Sequence, residues 1–225
     1  DRDLEDCAVM DAGDLELPFG DTEKALCMIE ERAAHILRDG KRPFLLGGEH
    51  LVTLGAVRAA VRKYPDLCIV HFDAHTDLRE DYLGVKLSHA CVLRRCHELT
   101  GDKRIAQFGI RSGLREEFAW GREHTLLHPF GFDGLEEVLE AFAGRPVYFT
   151  LDLDVLDPSV FPGTGTPEPG GVSFEQLRRA ATLVCSRADV VALDVNELSP
   201  PYDQSGASTA VACKIVREML LALKG

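Results

Sequence analysis

Two nearly uninterrupted apolar runs end in carboxylates spaced two apart, and that coincidence restricts the fold more than any other feature of the chain. The first, Leu67-Cys68-Ile69-Val70, passes through His71-Phe72 into Asp73-Ala74-His75-Thr76-Asp77. The second, Pro146-Val147-Tyr148-Phe149-Thr150-Leu151, runs into Asp152-Leu153-Asp154, with Asp157-Pro158 closing the turn. An apolar run without polar alternation reads as a strand covered on both faces, as in a parallel sheet. Side chains alternate faces in extended backbone, so Asp73, His75 and Asp77 share one face, as do Asp152 and Asp154. One acidic pair at a strand end is most simply a helix cap or a solvated turn. Two such runs with a matched histidine argue for a site.

The surrounding chain repeats one order of elements. Asp21 can cap a helix over 22–38 whose apolar Leu26, Ile29, Ala33 and Ile36 or Leu37 keep helical spacing, ended by Gly40 and Pro43. A short strand over 43–46 breaks at Gly47-Gly48, and Glu49-His50 open a helix towards Tyr64. The strand over 67–72 is followed by a loop carrying Ser88-His89, a helix over 90–99 and a strand over 105–110. Helices over 134–142, 174–185 and 209–223 and strands over 147–151 and 190–195 complete the pattern. Strands alternating with helices imply an α/β three-layer sandwich around a central parallel sheet, with ligands bound outside the carboxyl ends of the strands. The Pro/Gly-rich segment from Phe161 to Gly171 lies beside the second acidic pair as a pocket wall, and it lacks the glycine pattern of a phosphate cradle.

With 225 residues and no repeat or linker, the chain is expected to form one domain over 1–225. A formal charge of −12 argues against a nucleic-acid partner and suits a cationic substrate. No run of eighteen apolar residues is present to span a bilayer. Seven cysteines without a Cys-x-x-Cys pair read as reduced thiols, and Asp1 to Asp6 have no signal-peptide character, so a cytoplasmic location is expected.

Six side chains, His50, Asp73, His75, Asp77, Asp152 and Asp154, offer four carboxylates and two imidazoles. One ion does not need six ligands. Two ions about 3.5 to 4 Å apart do, with carboxylates from different strands bridging them. Oxygen-rich ligation without thiolate favours Mn²⁺, two per chain, over structural zinc. Water between such ions is a hydroxide-like nucleophile near neutral pH, which predicts hydrolysis.

Gly-Gly-Glu-His50, Asp73-Ala-His75-Thr-Asp77, Leu151-Asp-Leu-Asp154-x-x-Asp-Pro158 and the loop Pro162 to Gly171 together resemble the ureohydrolase (arginase/agmatinase) family, its agmatinases above all, over essentially the whole chain. The resemblance implies the arginase/deacetylase-type fold and an assembly of identical subunits, a trimer or hexamer. It implies that Asp73 and Asp152 bridge the ions, that His50 and Asp77 complete one, and that His75 and Asp154 complete the other. It assigns His89 as a mobile proton shuttle and Glu197 as the carboxylate that holds a substrate guanidinium. By themselves, His89 is a surface loop histidine and Glu197 a turn acid. Family members usually begin with one further strand and a loop before Asp11-Ala12-Gly13-Asp14, and nothing here corresponds to that segment.

Other residues are set aside. His71 is a buried strand histidine, Glu49 serves the helix N-terminus, Arg111 positions loops or a subunit contact, and His97, His124 and His128 have no partners at ligand spacing. The implied reaction is agmatine plus water to putrescine plus urea, through a hydroxide shared by the ions. Guanidinobutyrate, guanidinopropionate and arginine are alternative substrates, and a single-zinc deacetylase or a non-catalytic metal-binding subunit are alternative functions. The loop Leu78 to Leu87 carries acids as well as bases and does not resemble the segment with which arginases hold an amino-acid head.

Overall fold

The computed structural model describes residues 3–224. Strands β1 (Phe44–Leu46), β2 (Cys68–Phe72), β3 (Ile105–Ile110), β4 (Leu126–Pro129), β5 (Pro146–Asp152) and β6 (Asp189–Asn196) form one sheet in the order β1-β6-β5-β2-β3-β4. Every pairing is parallel. The helices are α1 (Thr22–Arg38), α2 (Val52–Lys63), α3 (Val92–Thr100), α4 (Arg115–His124), α5 (Leu135–Ala141), α6 (Phe174–Arg187) and α7 (Ala207–Ala222). Among the described residues no helix is long and apolar enough to cross a membrane.

The period-two alternation of the strands divides the interior into two cores. Cys68, Val70 and Phe72 of β2 join Val147, Phe149 and Leu151 of β5 in a core completed by α5, α6 and α7. Ile69 and Tyr148 face the other way, into a core of Leu26 and Ile29 from α1, Leu54 and Val57 from α2, and Leu93 and Cys96 from α3. The three layers expected from the sequence are therefore present. Asp21 caps α1 as expected, its Oδ1 accepting from the Lys24 N–H at 3.0 Å.

Two elements escaped the pattern reading. Helix α4 buries only Glu117 and Gly121, so no apolar stripe announces it. Strand β4 is a short, partly exposed edge strand ending in Pro129, where a continuous apolar run is not required. The helix after β1 also starts later than expected: regular helix begins at Val52, and Glu49 makes no side-chain cap to it. Gly47 is required where it stands, because a Cβ there would meet Asn196 Oδ1 at 2.1 Å.

The topology locates the site. From β2 the chain crosses through α3 to β3 on one side, whereas from β5 it crosses through α6 to β6 on the other. Neighbouring parallel strands whose connections leave in opposite directions open a crevice at their carboxyl ends. Arg111, just past β3, fastens the loops around that crevice. Its guanidinium donates to the carbonyls of Asp154 (2.9 Å), Val155 (3.2 Å), Gly109 (3.3 Å) and Glu168 (2.7 Å). The expectation that Arg111 positions loops is met on its loop side. Arg111→Ala strands several carbonyls at once and is expected to cost roughly 3 kcal/mol or more, about 6–12 °C in Tm. Arg111→Lys should recover little, because one ammonium cannot span the fork. Thermal melts of both variants check this, and a Tm within about 2 °C of the parent would contradict it.

Candidate active site

All six side chains singled out as ligands converge where β2 and β5 end. The Nδ1 atom of His50 lies 3.1 Å from Asp73 Oδ2, 3.1 Å from Asp77 Oδ2 and 3.3 Å from Asp152 Oδ2. That nitrogen is buried among three oxygens yet aligned to hydrogen-bond none of them. On the other side, His75 Nδ1 lies 2.9 Å from Asp154 Oδ2 and 3.5 Å from Asp73 Oδ1. His50 and the four aspartates are buried, and His75 is partly exposed.

Four buried carboxylates carry a cost that the chain itself meets only in part. Among the described residues no Lys or Arg pairs with any of them within salt-bridge distance. Burial and the charge of Asp73 push the Asp77 carboxyl up to about 7. Burial, with Asp154 and Asp73 beside it, raises Asp152 well above the carboxylate range. Burial and Asp73 raise Asp154 as well. Burial opposes the charge on His75, but Asp154 and Asp73 outweigh it and push the imidazole up to about 12. Asp73 moves the other way: burial is overcome by His71, His50 and His75, and its carboxyl stays well below the usual range. An under-neutralised oxygen cluster with an unaligned ring nitrogen at its centre is the donor set that divalent cations take.

Beneath this cluster runs a polar row that the sequence reading did not single out. The strand register pairs His71 with Gln107 and with Thr150, and Thr150 with Asp194, so four polar residues cross β3, β2, β5 and β6 side by side. His50 Nε2 lies 2.9 Å from Thr150 Oγ1, and Asp194 accepts from Thr53 (2.8 Å), Tyr148 (2.5 Å) and Asn196 (2.8 Å). The available signal was an ionisable residue inside the apolar strand Val190 to Val195. Asp77 and Glu197 also stand at φ 53° and 65°, left-handed backbone that non-glycine residues seldom adopt and that functional sites retain.

A cavity of about 280 Å³ opens above the cluster, lined by His50, His75, Asp77, Asp152 and Asp154 below and by Arg79, Tyr82, His89, Thr166 and Glu197 around its walls. Glu197 Oε1 accepts from the His50 backbone N–H at 2.7 Å, and burial raises its carboxyl. His89 is 44% exposed, its Nδ1 3.3 Å from Glu49 Oε2. Glu49, expected at the helix start, instead faces His89, since regular helix begins only at Val52. His97 and His124 were expected to lack partners. Both in fact approach Asp102 Oδ1 at 2.8 Å, brought together by the ends of α3 and α4, a proximity that sequence spacing does not carry. His128 stacks on Phe108 at 4.4 Å.

The sequence matches the Arginase family over residues 1–222. The chain belongs to that family. This is a family of binuclear metal hydrolases, and around His50 and His75 lie His/Asp groups placed so that they could hold metal. Among relatives, the agmatinase of Bacillus subtilis is 49% identical over 225 residues, covering 98% of this chain and 77% of its own length. The guanidinobutyrase of Pseudomonas aeruginosa is 34% identical over 233 residues, covering 96% and 72%. A crystal structure from Clostridium difficile superposes with a TM-score of 0.95 at 49% identity, over 98% of this chain and 81% of the other. For an arginase-family chain, the legible part of the site was its row of carboxylates. The supporting row beneath was hidden because its members are single polar residues on four separate strands.

Proposed function

We propose that this chain hydrolyses agmatine to putrescine and urea with two Mn²⁺ ions held by His50, Asp73, His75, Asp77, Asp152 and Asp154. The observation that carries the reading is the buried four-carboxylate cluster at the floor of a cavity whose wall presents Glu197 and His89. In this reading Asp73 and Asp152 would be shared by the two ions, His50 and Asp77 would help hold one, and His75 and Asp154 the other. Supporting it, each Asp73 oxygen already accepts one N–H, Oδ1 from the His75 backbone at 2.5 Å and Oδ2 from His71 at 2.8 Å. Each oxygen keeps one lone pair, and they face opposite halves of the cluster. Bound divalent ions supply the Lewis acidity that makes water a nucleophile near neutral pH.

The chain's own groups do the rest. Glu197, tethered by the His50 N–H, accepts hydrogen bonds from the guanidinium and fixes its carbon over the cluster. His89, whose imidazole Glu49 holds above its ordinary value, delivers a proton to the leaving amine. A cytoplasmic trimer or hexamer belongs to the same reading, and light scattering measures its mass.

Substrate choice rests on the far end of the cavity. An uncommitted cation there would favour a carboxylate-bearing substrate, and among the described residues Arg79 is the one Arg or Lys that lines it. Arg79 is already engaged, its Nε 3.4 Å from the buried Glu117 and its guanidinium 4.9 Å over the Tyr82 ring. An ammonium end meets no such demand. Comparing kcat/KM for agmatine, arginine and 4-guanidinobutyrate at one pH and one Mn²⁺ concentration is the test. Agmatine is expected to lead by at least about tenfold, the equivalent of roughly 1.4 kcal/mol. A preference for either carboxylate-bearing compound would overturn the assignment.

A further inference from the structure

His71 sits in the polar row directly beneath the cluster, fully buried, with ring nitrogens on two different partners. Its Nε2 is 2.8 Å from Asp73 Oδ2 and its Nδ1 is 3.1 Å from the Gln107 side-chain nitrogen. That proximity to His50 and Asp73 makes His71 a candidate metal ligand by distance alone. The hydrogen bonds argue otherwise, beginning at Gln107. The Gln107 nitrogen lies 2.7 Å from the Thr76 backbone carbonyl oxygen, which can only accept, so the amide end there is the NH₂ donor. Thr125 Oγ1 is 3.1 Å from the opposite end, Gln107 Oε1, but its single proton also has the Gly121 carbonyl at 2.8 Å, so the Thr76 carbonyl is what fixes the orientation. The second N–H of the amide then points at His71 Nδ1, which must accept it. The ring proton is left on Nε2, directed at Asp73.

We propose that His71 is a positioning residue for the metal centre: as the Nε2-protonated tautomer it grips one oxygen of Asp73 and is not itself a ligand. A nitrogen that carries a proton has no lone pair for an ion. The proposal rests on the reading that Asp73 bridges two ions, and it deepens that reading. A bridging carboxylate has to present one oxygen to each ion, and a side chain free to rotate about its terminal torsion does not do so reliably. Asp73 is held at both oxygens, by the His75 backbone N–H on Oδ1 and by His71 on Oδ2. The ring is held in turn by Gln107, which the Thr76 carbonyl holds. Two halves of one row thus support two neighbouring groups: Thr150 and Asp194 lie behind His50, and Gln107 and His71 behind Asp73. Outer partners of this kind typically tune metal affinity by 10- to 100-fold.

The test reads metal affinity, so it does not depend on which guanidino compound is the substrate. The chain is stripped with chelator, and binding of Mn²⁺ is followed by the loss of the free-ion electron paramagnetic resonance signal. His71→Leu, which removes the donor at similar volume, is expected to weaken Mn²⁺ binding by about 10- to 100-fold. His71→Gln, whose amide nitrogen reaches towards the former Nε2 position, is expected to bind both ions within a few-fold of the parent. If His71 were a ligand, both variants would lose an ion alike, and that outcome overturns the proposal. Unchanged affinity in His71→Leu overturns it as well. A second measurement needs no variant: ¹⁵N resonances of the imidazoles in Mg²⁺-loaded protein are expected to show His71 protonated at Nε2. Protonation at Nδ1, or a coordinated Nε2, would contradict it. A parent chain that binds one ion instead of two would reject the two-ion reading itself, a result separate from either outcome for His71.

Discussion

Asp152→Asn is expected to abolish urea release and to remove at least one of the two ions. Asp152 ends β5 with its Oδ1 accepting the Asp154 N–H at 2.8 Å and its Oδ2 turned towards His50 Nδ1. In asparagine the oxygen has to stay on the Asp154 N–H, because the NH₂ there would face another donor. The NH₂ is then forced into the cluster, where it replaces a negative oxygen with positive hydrogens in a site of low dielectric. His89→Ala touches none of these atoms. It should keep both ions and slow turnover by about 10²- to 10⁴-fold, the usual worth of a positioned proton donor. Metal content by elemental analysis, measured beside urea release, separates the two variants. Loss of an ion in His89→Ala, or two ions retained with activity in Asp152→Asn, would show the roles misassigned. The metal-free Asp152→Asn protein should also melt above the metal-free parent, since it lacks a carboxylate that its neighbours and burial oppose.

The same contrast explains how much of this molecule was legible in its sequence. Strands β2, β5 and β6 were readable because parallel strands covered on both faces must be apolar throughout, and few other segments can be. Asp73, His75, Asp77, Asp152 and Asp154 stood out because carboxylates spaced two apart break such runs at the end where ligands bind. Glu197 and His89 were not readable from their own surroundings. Glu197 follows a strand with no periodic context, and its left-handed backbone and the His50 N–H that anchors it become visible only once β6 lies beside the turn after β1. The row Gln107, His71, Thr150 and Asp194 was hidden for a related reason. Register between strands decides which residues become neighbours, and no local pattern encodes it. His97 and His124 were misread through the same gap, because their meeting at Asp102 depends on helix α4, which lacks an apolar stripe.

Removing the metal is expected to make stability fall as pH rises, by roughly 4 kcal/mol between about pH 4 and pH 7 from Asp77 alone. In the metal-free fold the Asp77 carboxyl is pushed up to about 7, whereas in the unfolded chain it titrates near its ordinary value of 3.8. Across that window the folded protein keeps a proton that the unfolded chain has released, so each step up in pH favours unfolding. Asp152 and Asp154, also raised by burial, act in the same direction. His75 adds to it at higher pH. Its folded imidazole, pushed up to about 12, contributes stability that is complete below the unfolded value of 6.5 and drains away as pH climbs towards 12. Asp73 opposes the trend only in acid, since its depressed carboxyl contributes above about pH 4 and loses that contribution as pH falls. Divalent ions replace those protons as the counter-charge for the cluster, and they compete best where protons are scarce. The Tm gain on adding Mn²⁺ should therefore widen from pH 5 to pH 8, by roughly 10 °C for a chain of this size. Melts of chelator-stripped and Mn²⁺-loaded protein at intervals across that range decide it. A metal-free Tm that holds steady or climbs from pH 5 to pH 8 would mean that the four carboxylates are neutralised by something other than bound protons and metal.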